Sequence, residues 1–123
     1  MMRKRNGWKV LTRLEDGRYF SAWMGKDRGG HVYPIKRWVG RRTGCGPNAV
    51  FENYEAALRF ACYCVDNPYI ACCEYVPSRS RRLSYRAKDL WGIYVDRTQS
   101  SVPNGTGFAD RVKITEGPKP VRC

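Results

Sequence analysis

Polar and apolar residues alternate in the first part of the chain, over residues 8–14 and again over residues 19–24. Alternation with a period of two is typical of strands that have one buried face. Asp16 and Gly17 lie between the two runs, and an Asp-Gly pair at this place is a strong hairpin signal. We therefore predict that the chain opens with two antiparallel strands joined by a tight turn.

The next stretch is predicted to be less regular. A glycine-rich turn over residues 25–30 precedes an extended segment over residues 31–39. Pro34 lies inside that segment and favours an edge strand or a broken one, because proline cannot donate a backbone hydrogen bond. Residues 40–48 combine glycines with a proline and are predicted to form a loop.

One helix is predicted after this loop. Apolar residues recur at helical spacing along one face, at Tyr54, Ala57, Leu58, Ala61, Cys62 and Val65. Asn53 precedes them, and asparagine is a favoured N-cap residue. The run Asp66-Asn67-Pro68 is predicted to end the helix.

The remainder of the chain is predicted to be extended. Residues 69–77 are apolar on both faces except at Glu74, which indicates a central strand. Residues 91–97 and 108–116 are predicted to form two more strands. Residues 78–88 have no clear period and are predicted to form an exposed loop or an irregular edge.

The predicted fold class is α+β: a mostly antiparallel sheet of five or six strands with one main helix packed on one face. A short extended piece at Val50 and Phe51, the helix and the following strand would form a β-α-β-like unit. The length of 123 residues is that of one domain. We assign residues 1–116 to that domain and residues 117–123 to a C-terminal tail.

The composition excludes two broad classes. With 42% hydrophobic and 13% aromatic residues, the chain is too apolar to be disordered. No segment approaches the roughly 18 consecutive apolar residues of a membrane span. The basic opening is not followed by the apolar region or cleavage site of a signal peptide. We expect a soluble cytoplasmic protein without a membrane partner.

The positive charge is concentrated in three short segments. Twelve of the 23 Lys and Arg residues lie in segments without an acidic residue, and the remaining 11 balance the 11 Asp and Glu residues. The segments contain Arg3, Lys4 and Arg5; Lys36, Arg37, Arg41 and Arg42; and Arg79, Arg81, Arg82, Arg86 and Lys88. Clustered arginines are typical of surfaces that bind a phosphate backbone. Solvated loops that only keep the protein soluble are the alternative.

Two aromatic residues lie among these basic residues. Trp38 lies between Arg37 and Arg41, and Tyr85 precedes Arg86. Aromatic rings interleaved with arginine stack on the bases of single-stranded nucleic acid, although strands also use aromatic residues to fill a core. The predicted nucleic-acid-binding residues are Lys36, Arg37, Trp38, Arg41, Arg42, Arg79, Arg81, Arg82, Tyr85, Arg86 and Lys88.

The six cysteines do not have the spacing of a metal site. Cys62 and Cys64 diverge on a helix, and neighbouring Cys72 and Cys73 point to opposite sides of a strand. We expect reduced, buried thiols and no metal, with a helix-to-strand disulfide as the alternative in an oxidising compartment. Cys123 is expected to be a free terminal thiol in either case.

Catalytic residues are not predicted. Cys45, flanked by glycines, could act as a nucleophile, but no base can be placed beside it, and His31 is the one histidine. Glu74, if buried, would need a partner such as Arg59 or an arginine of the third basic segment. The chain has no phosphate-binding loop or dinucleotide motif. We therefore expect a binding protein without a cofactor.

Four stretches and a Tyr-Pro turn between the first two together carry a resemblance to known proteins: GWKVLTRLEDGRYFSAW, CGPNAVFENYEAALRFA, IACCEYVPS and GTGFADRVKI. This pattern resembles small uncharacterised proteins of tailed bacteriophages and some prokaryotes, which implies a phage or prokaryotic setting and no particular activity. The stretch VFENYEAALRFA also resembles the helix region of small ADP-ribosyltransferase-like folds. That second resemblance would make His31, Ser21 and Glu74 the candidate site, although the His-Gly-Thr type signature is missing.

Three hypotheses on function follow. The first is a non-enzymatic phage-type protein that engages nucleic acid or a ribonucleoprotein through its arginines, for genome handling or interference with a host defence complex. The second is a virion component whose basic segments contact packaged genome or acidic protein surfaces. The third is an ADP-ribosyltransferase-like enzyme. The oligomeric state is not predicted.

Overall fold

The structure, a computed structural model, describes residues 3–22, 31–41, 46–80, 84–88, 94–98 and 102–123. These residues form nine strands and one helix, which are, in chain order, β1 (Arg5–Arg13), β2 (Tyr19–Ser21), β3 (Trp38–Gly40), β4 (Asn48–Phe51), α1 (Tyr54–Cys64), β5 (Tyr69–Pro77), β6 (Ser84–Lys88), β7 (Tyr94–Thr98), β8 (Thr106–Ile114) and β9 (Lys119–Pro120).

Four strands close into a barrel. β1 pairs with β4 and β5, and β8 pairs with the same two strands, so the order β1, β4, β8, β5 returns to β1. All four pairings are antiparallel. β2 adds to β1, β3 adds to β8, and β9 adds to β5. β6 and β7 form a separate two-stranded sheet.

The predicted α+β architecture was wrong. The expected sheet of five or six strands with one main helix on one face is replaced by a mostly β fold, in which a closed four-stranded barrel carries additional strands. The expected β-α-β-like unit is also different. β4 and β5 run in the same direction because both are antiparallel to β1, but β1 and β8 separate them around the barrel.

Side chains from all four barrel strands fill the interior. This cluster contains Leu11, Tyr33, Val50, Ala71, Cys73, Tyr75, Ala109, Val112 and Ile114. A second cluster lies between the outside of the barrel and the helix, and it contains Val10, Phe51, Ala56, Ala57, Ala61 and Ile70. Neighbouring residues of one strand, such as Val10 and Leu11, therefore serve different clusters, as the strand period of two requires.

Several local predictions are confirmed. β1 and β2 form the expected hairpin, and Gly17 has the positive φ of 88° that its turn requires. The Asn53 side chain caps α1 by accepting a hydrogen bond from Ala56 N at 2.8 Å. β5 covers the predicted central strand and is paired on both sides.

Two segments differ from their predictions. Residues 84–88, expected in a loop or irregular edge, form β6, which pairs in register with β7. Within the part of the chain that the structure describes, the extended segment over residues 31–39 is paired through bridges at Val32 and Ile35 and through β3 at its end. Its interruption around Pro34 agrees with the prediction of a broken strand.

The C-terminal residues are attached to the barrel. β9 pairs with the start of β5, and Val121 N donates a hydrogen bond to Pro68 O at 2.9 Å. Cys123 forms a disulfide with Cys62 of α1. The expectations of a free Cys123 and of a reduced Cys62 were therefore wrong. Cys64, Cys72 and Cys73 are free as expected, but only Cys73 is buried, and Cys64 and Cys72 are exposed. The partner of Cys62 is the tail because β9 brings the chain end back to the helix.

Candidate functional site

A pocket of about 450 Å³ opens at one end of the barrel, where β1 begins and β3 and β5 end. We call it the arginine pocket. Its lining consists of Arg3, Arg5, Arg41, Val76, Pro77, Ser78, Arg79, Ser80 and Asp110. The antiparallel register explains why lining residues from distant parts of the chain lie together. Arg5 lies opposite Tyr75 near the end of β5, and Gly40 lies opposite Arg111 of β8.

The arginine pocket therefore contains arginines from all three basic segments of the sequence. Arg3 and Arg5 come from the first, Arg41 from the second and Arg79 from the third. All four are exposed. Among the described residues that line the pocket, Asp110 is the one acidic residue. Four of the twelve basic residues, from three segments that are far apart in the sequence, thus lie at one place, which favours anion binding.

Arg41 is held by two partners at the edge of the pocket. Its Nε donates to Asp110 Oδ1 at 3.0 Å, and its Nη2 donates to Ser78 Oγ at 2.8 Å. Among the described residues, no carboxylate lies within 4.0 Å of the Arg3, Arg5 or Arg79 guanidinium groups. Three of the four guanidinium groups are therefore without an acidic partner among those residues.

The other basic residues of the predicted site either lie away from the arginine pocket or fall outside the described residues. Lys36 and Arg37 are exposed before β3 and do not line the arginine pocket. Tyr85, Arg86 and Lys88 belong to β6, where the backbone register sets Arg86 opposite Asp96. The predicted residues Arg42, Arg81 and Arg82, and also the candidate nucleophile Cys45, lie outside the described residues.

Trp38 lies on the outer wall of the barrel. It is 38% exposed, and Lys113 Nζ lies 5.1 Å from the centroid of its ring. A continuous cross-strand row joins Trp38 to Lys113, then to Glu74 and then to Asn6. Trp38 is thus a surface residue, as stacking on a base would require, and Lys113 adds positive charge beside it.

Sequence reasoning missed several lining residues. Arg3 and Arg5 were recognised as basic but were left out of the predicted site, because nothing local links the chain start to Arg79. The register of β1 on β5 makes that link. Ser78 and Asp110 have no distinguishing local pattern, and their role depends on the approach of Arg41 across the pocket.

A second group of ionisable residues is buried inside the barrel. Lys9 is only 4% exposed, and its Nζ donates to Ala49 O at 2.5 Å and lies 5.0 Å from the centroid of the Tyr33 ring. Burial lowers the pKa of Lys9 to about 8. Burial also raises the pKa of Cys73 to about 12 and raises the pKa of Tyr33. These groups are enclosed in the core, so a substrate cannot reach them.

The residues of the ADP-ribosyltransferase-like hypothesis are not gathered together. His31 N donates to Ser21 Oγ at 3.1 Å, and Ser21 lies opposite Leu11 near the end of β1. Glu74 lies opposite Asn6 at the start of β1. Five residues of strand separate these positions, which is roughly 17 Å. Glu74 contacts Lys4 at 3.6 Å and Lys113 at 3.4 Å, in place of the expected arginine partner.

The described part of the chain contains neither a cluster of metal ligands nor a membrane-spanning helix. No group of three or more His, Cys, Asp or Glu residues in those ranges could hold a metal ion. Within the same ranges, no helix has both the length and the apolar character needed to cross a bilayer.

Comparison with known proteins adds no relative: no protein-family model, no curated protein and no solved structure matches this chain.

Proposed function

We propose that this protein is a non-enzymatic nucleic-acid-binding protein that engages the phosphate backbone through the arginine pocket. The observation that carries the proposal is the meeting of Arg3, Arg5, Arg41 and Arg79 from three distant basic segments. Arginine forms bidentate hydrogen bonds with phosphate oxygens, and each phosphate contact releases condensed counterions. Exposed arginines packed together without an anion repel one another, and a bound strand would remove that repulsion.

The phage setting is part of the same proposal. The resemblance to small bacteriophage proteins would place the chain in the cytoplasm of an infected cell, where genome handling or interference with a host nucleoprotein complex requires contact with nucleic acid. Trp38 lies on the barrel wall that carries β3, and Arg41 follows that strand. The Trp38 ring can supply one stacking surface for a base.

The direct test is the salt dependence of binding to a single-stranded oligonucleotide. We expect measurable affinity at about 50 mM salt and a linear fall of log K with log salt concentration. Arg79→Ala should weaken binding on all sequences alike and should reduce the magnitude of the slope by about one.

Arg59→Ala is the matched control, since Arg59 is an exposed arginine of α1 that does not line the arginine pocket. Removing it takes away the same formal charge and should leave the slope unchanged. Absence of binding to DNA and RNA at low salt would overturn the proposal. An equal loss in both variants would reduce it to a general charge effect.

A further inference from the structure

We propose that the arginine pocket takes the terminal phosphate of a nucleic-acid strand in preference to the phosphodiesters within the strand. The inference rests on the proposed function and adds which chemical group of the strand the pocket recognises. It also assigns Asp110 as the residue that competes with that phosphate for Arg41.

The first argument is the density of charge. The described lining residues include four arginines and one aspartate, which gives a formal charge of +3 within a single pocket of about 450 Å³. Internal phosphodiesters carry one charge each and succeed one another along a strand, so proteins meet them with cations that follow a groove. A terminal phosphate carries a charge of about −1.5 to −2 at pH 7 and has three acceptor oxygens. Convergent arginines match the terminal group better.

The second argument is the hydrogen bonding of Ser78. Its hydroxyl oxygen accepts from Arg41 Nη2 at 2.8 Å and from Ser80 N at 3.1 Å. A hydroxyl has two acceptor lone pairs and one proton. Both lone pairs are used, and no described residue accepts from this hydroxyl. The proton of Ser78 is therefore available to a phosphate oxygen in the pocket.

The third argument concerns Arg41 and Asp110. Their side chains are 39% and 45% exposed, and ion pairs with this exposure are weak. A phosphate dianion can therefore replace Asp110 as the partner of Arg41. The Asp110 carboxylate would then face a like charge, so its presence lowers the affinity for phosphate.

The pocket and its surroundings favour a nucleic acid over a phosphorylated peptide. The volume is within the range of small-ligand pockets and is larger than a phosphate group needs, which leaves space for the terminal sugar. Trp38 lies three residues before Arg41 along the chain, at a distance of roughly 10 Å in an extended strand. A base next to the strand end could reach this exposed ring.

The test compares oligonucleotides of one sequence, about 12 nucleotides long, that carry a 5′ phosphate, a 3′ phosphate or no terminal phosphate. Fluorescence anisotropy at about 0.15 M salt limits the contribution of general charge. We expect one or both phosphorylated forms to bind about tenfold more tightly than the unphosphorylated form. Arg79→Ala should remove this preference, and Arg59→Ala should keep it.

Asp110→Asn gives an independent test, because it is expected to raise the affinity for the terminal phosphate and not to lower it. This variant should bind the phosphorylated oligonucleotide up to about fivefold more tightly and should change the affinity for the unphosphorylated form much less. Asp16→Asn is the matched control, since Asp16 forms an exposed pair with Arg18 outside the pocket. It should leave both affinities unchanged.

The outcomes separate the two proposals. Equal affinity for all three oligonucleotides would overturn the terminal-phosphate inference and leave the proposed function standing. Absence of binding to any oligonucleotide would overturn both. A phosphoserine peptide that competes as well as the phosphorylated oligonucleotide would overturn the assignment to nucleic acid. A decrease or no change in phosphate affinity in Asp110→Asn would overturn the role of Asp110.

Discussion

The two ends of strand β5 have opposite surroundings. At its start, Tyr69 and Ile70 pair with β9, and the disulfide between Cys62 and Cys123 fastens the tail to α1. At its last residue, Pro77, the strand reaches the arginine pocket, where exposed arginines face solvent. One end is closed by backbone pairing and a covalent bond, and the other is left open with an excess of charge.

This difference suggests that stability and binding reside at opposite ends of the barrel. Backbone pairing and a cross-link lower the free energy of the folded state relative to the unfolded chain, whereas exposed like charges contribute little to folding or oppose it. Variants at the closed end should change unfolding and leave binding intact. Variants at the open end should weaken binding and leave the free energy of unfolding almost unchanged.

The largest effect on the free energy of unfolding is expected from breaking the disulfide. Cys62→Ser releases a cross-link between residues 61 positions apart, and a loop of this length is associated with about 4 kcal/mol of stabilisation. We expect a correspondingly lower midpoint of urea unfolding under non-reducing conditions. Nucleic-acid affinity should remain within about twofold of the original value.

Cys64→Ser is the control for this variant. Cys64 is an exposed free cysteine on the same helix, so its replacement should leave the unfolding midpoint unchanged. Equal stability of the two variants would show that the disulfide does not stabilise the closed end. A large loss of affinity in Cys62→Ser would show that the two ends are coupled.

The next largest effect is a dependence of stability on pH that comes from Lys9, in the wall between the two ends. Burial lowers its pKa in the folded state to about 8 from an ordinary value of 10.5. Between these values the unfolded chain binds a proton that the folded protein does not, so the free energy of unfolding rises with pH. Lys9 alone contributes a rise of about 1 kcal/mol from pH 8 to pH 9, and ionisation of Cys73 in the unfolded chain reduces the net rise to roughly two thirds of that value.

At higher pH the trend should reverse. Burial raises the pKa of Cys73 from 9.0 to about 12 and raises that of Tyr33 above 10.0, so the folded protein keeps protons that the unfolded chain loses. Stability should therefore pass through a maximum near pH 9. Urea unfolding at intervals of about one pH unit will locate it. The rise should be absent in Lys9→Met, and a rise that persists there would contradict the role of Lys9.

Periodicity predicted several of the strands but neither β6 and β9 nor the closure of the barrel. Alternation shows that one face of a strand is buried, but it does not show whether a helix or opposing strands cover that face. One local feature related to the closure is Gly7, which directly precedes the first alternating run. A Cβ at Gly7 would lie 2.8 Å from Phe51 O, so the residue permits the close approach of β1 and β4 that closes the barrel.

For the candidate site, the sequence predicted the residue type, arginine, but not which arginines lie together. Arginine density identified three segments, and the pocket contains residues of all three. Which arginines meet depends on the register of β1, β5 and β8, which short-range patterns do not encode. Lys9 illustrates the same limit, because a lysine in an alternating strand is normally expected to face solvent, yet Lys9 shares the buried face of Leu11.

A smaller effect is expected on the outer wall of β5, midway between its ends. Glu74→Gln removes the carboxylate that lies between Lys4 and Lys113, where the carboxylate is 27% exposed. Partly exposed ion pairs contribute at most about 1 kcal/mol, so the free energy of unfolding should fall by less than this. Salt at about 1 M should reduce the difference from the original protein, because it screens such pairs. A loss well above that value would show that Glu74 supports the barrel wall.

The smallest effect on stability is expected at the open end itself. Arg79 is exposed and has no acidic partner among the described residues, so Arg79→Ala removes no ion pair within that part of the chain. It does remove one of four like charges in the arginine pocket. The free energy of unfolding should therefore change by less than about 0.5 kcal/mol, with a slight gain at low salt. If Arg79→Ala instead destabilised the fold as strongly as Cys62→Ser, the open end would have a structural role, and loss of binding in this variant could no longer be attributed to the pocket.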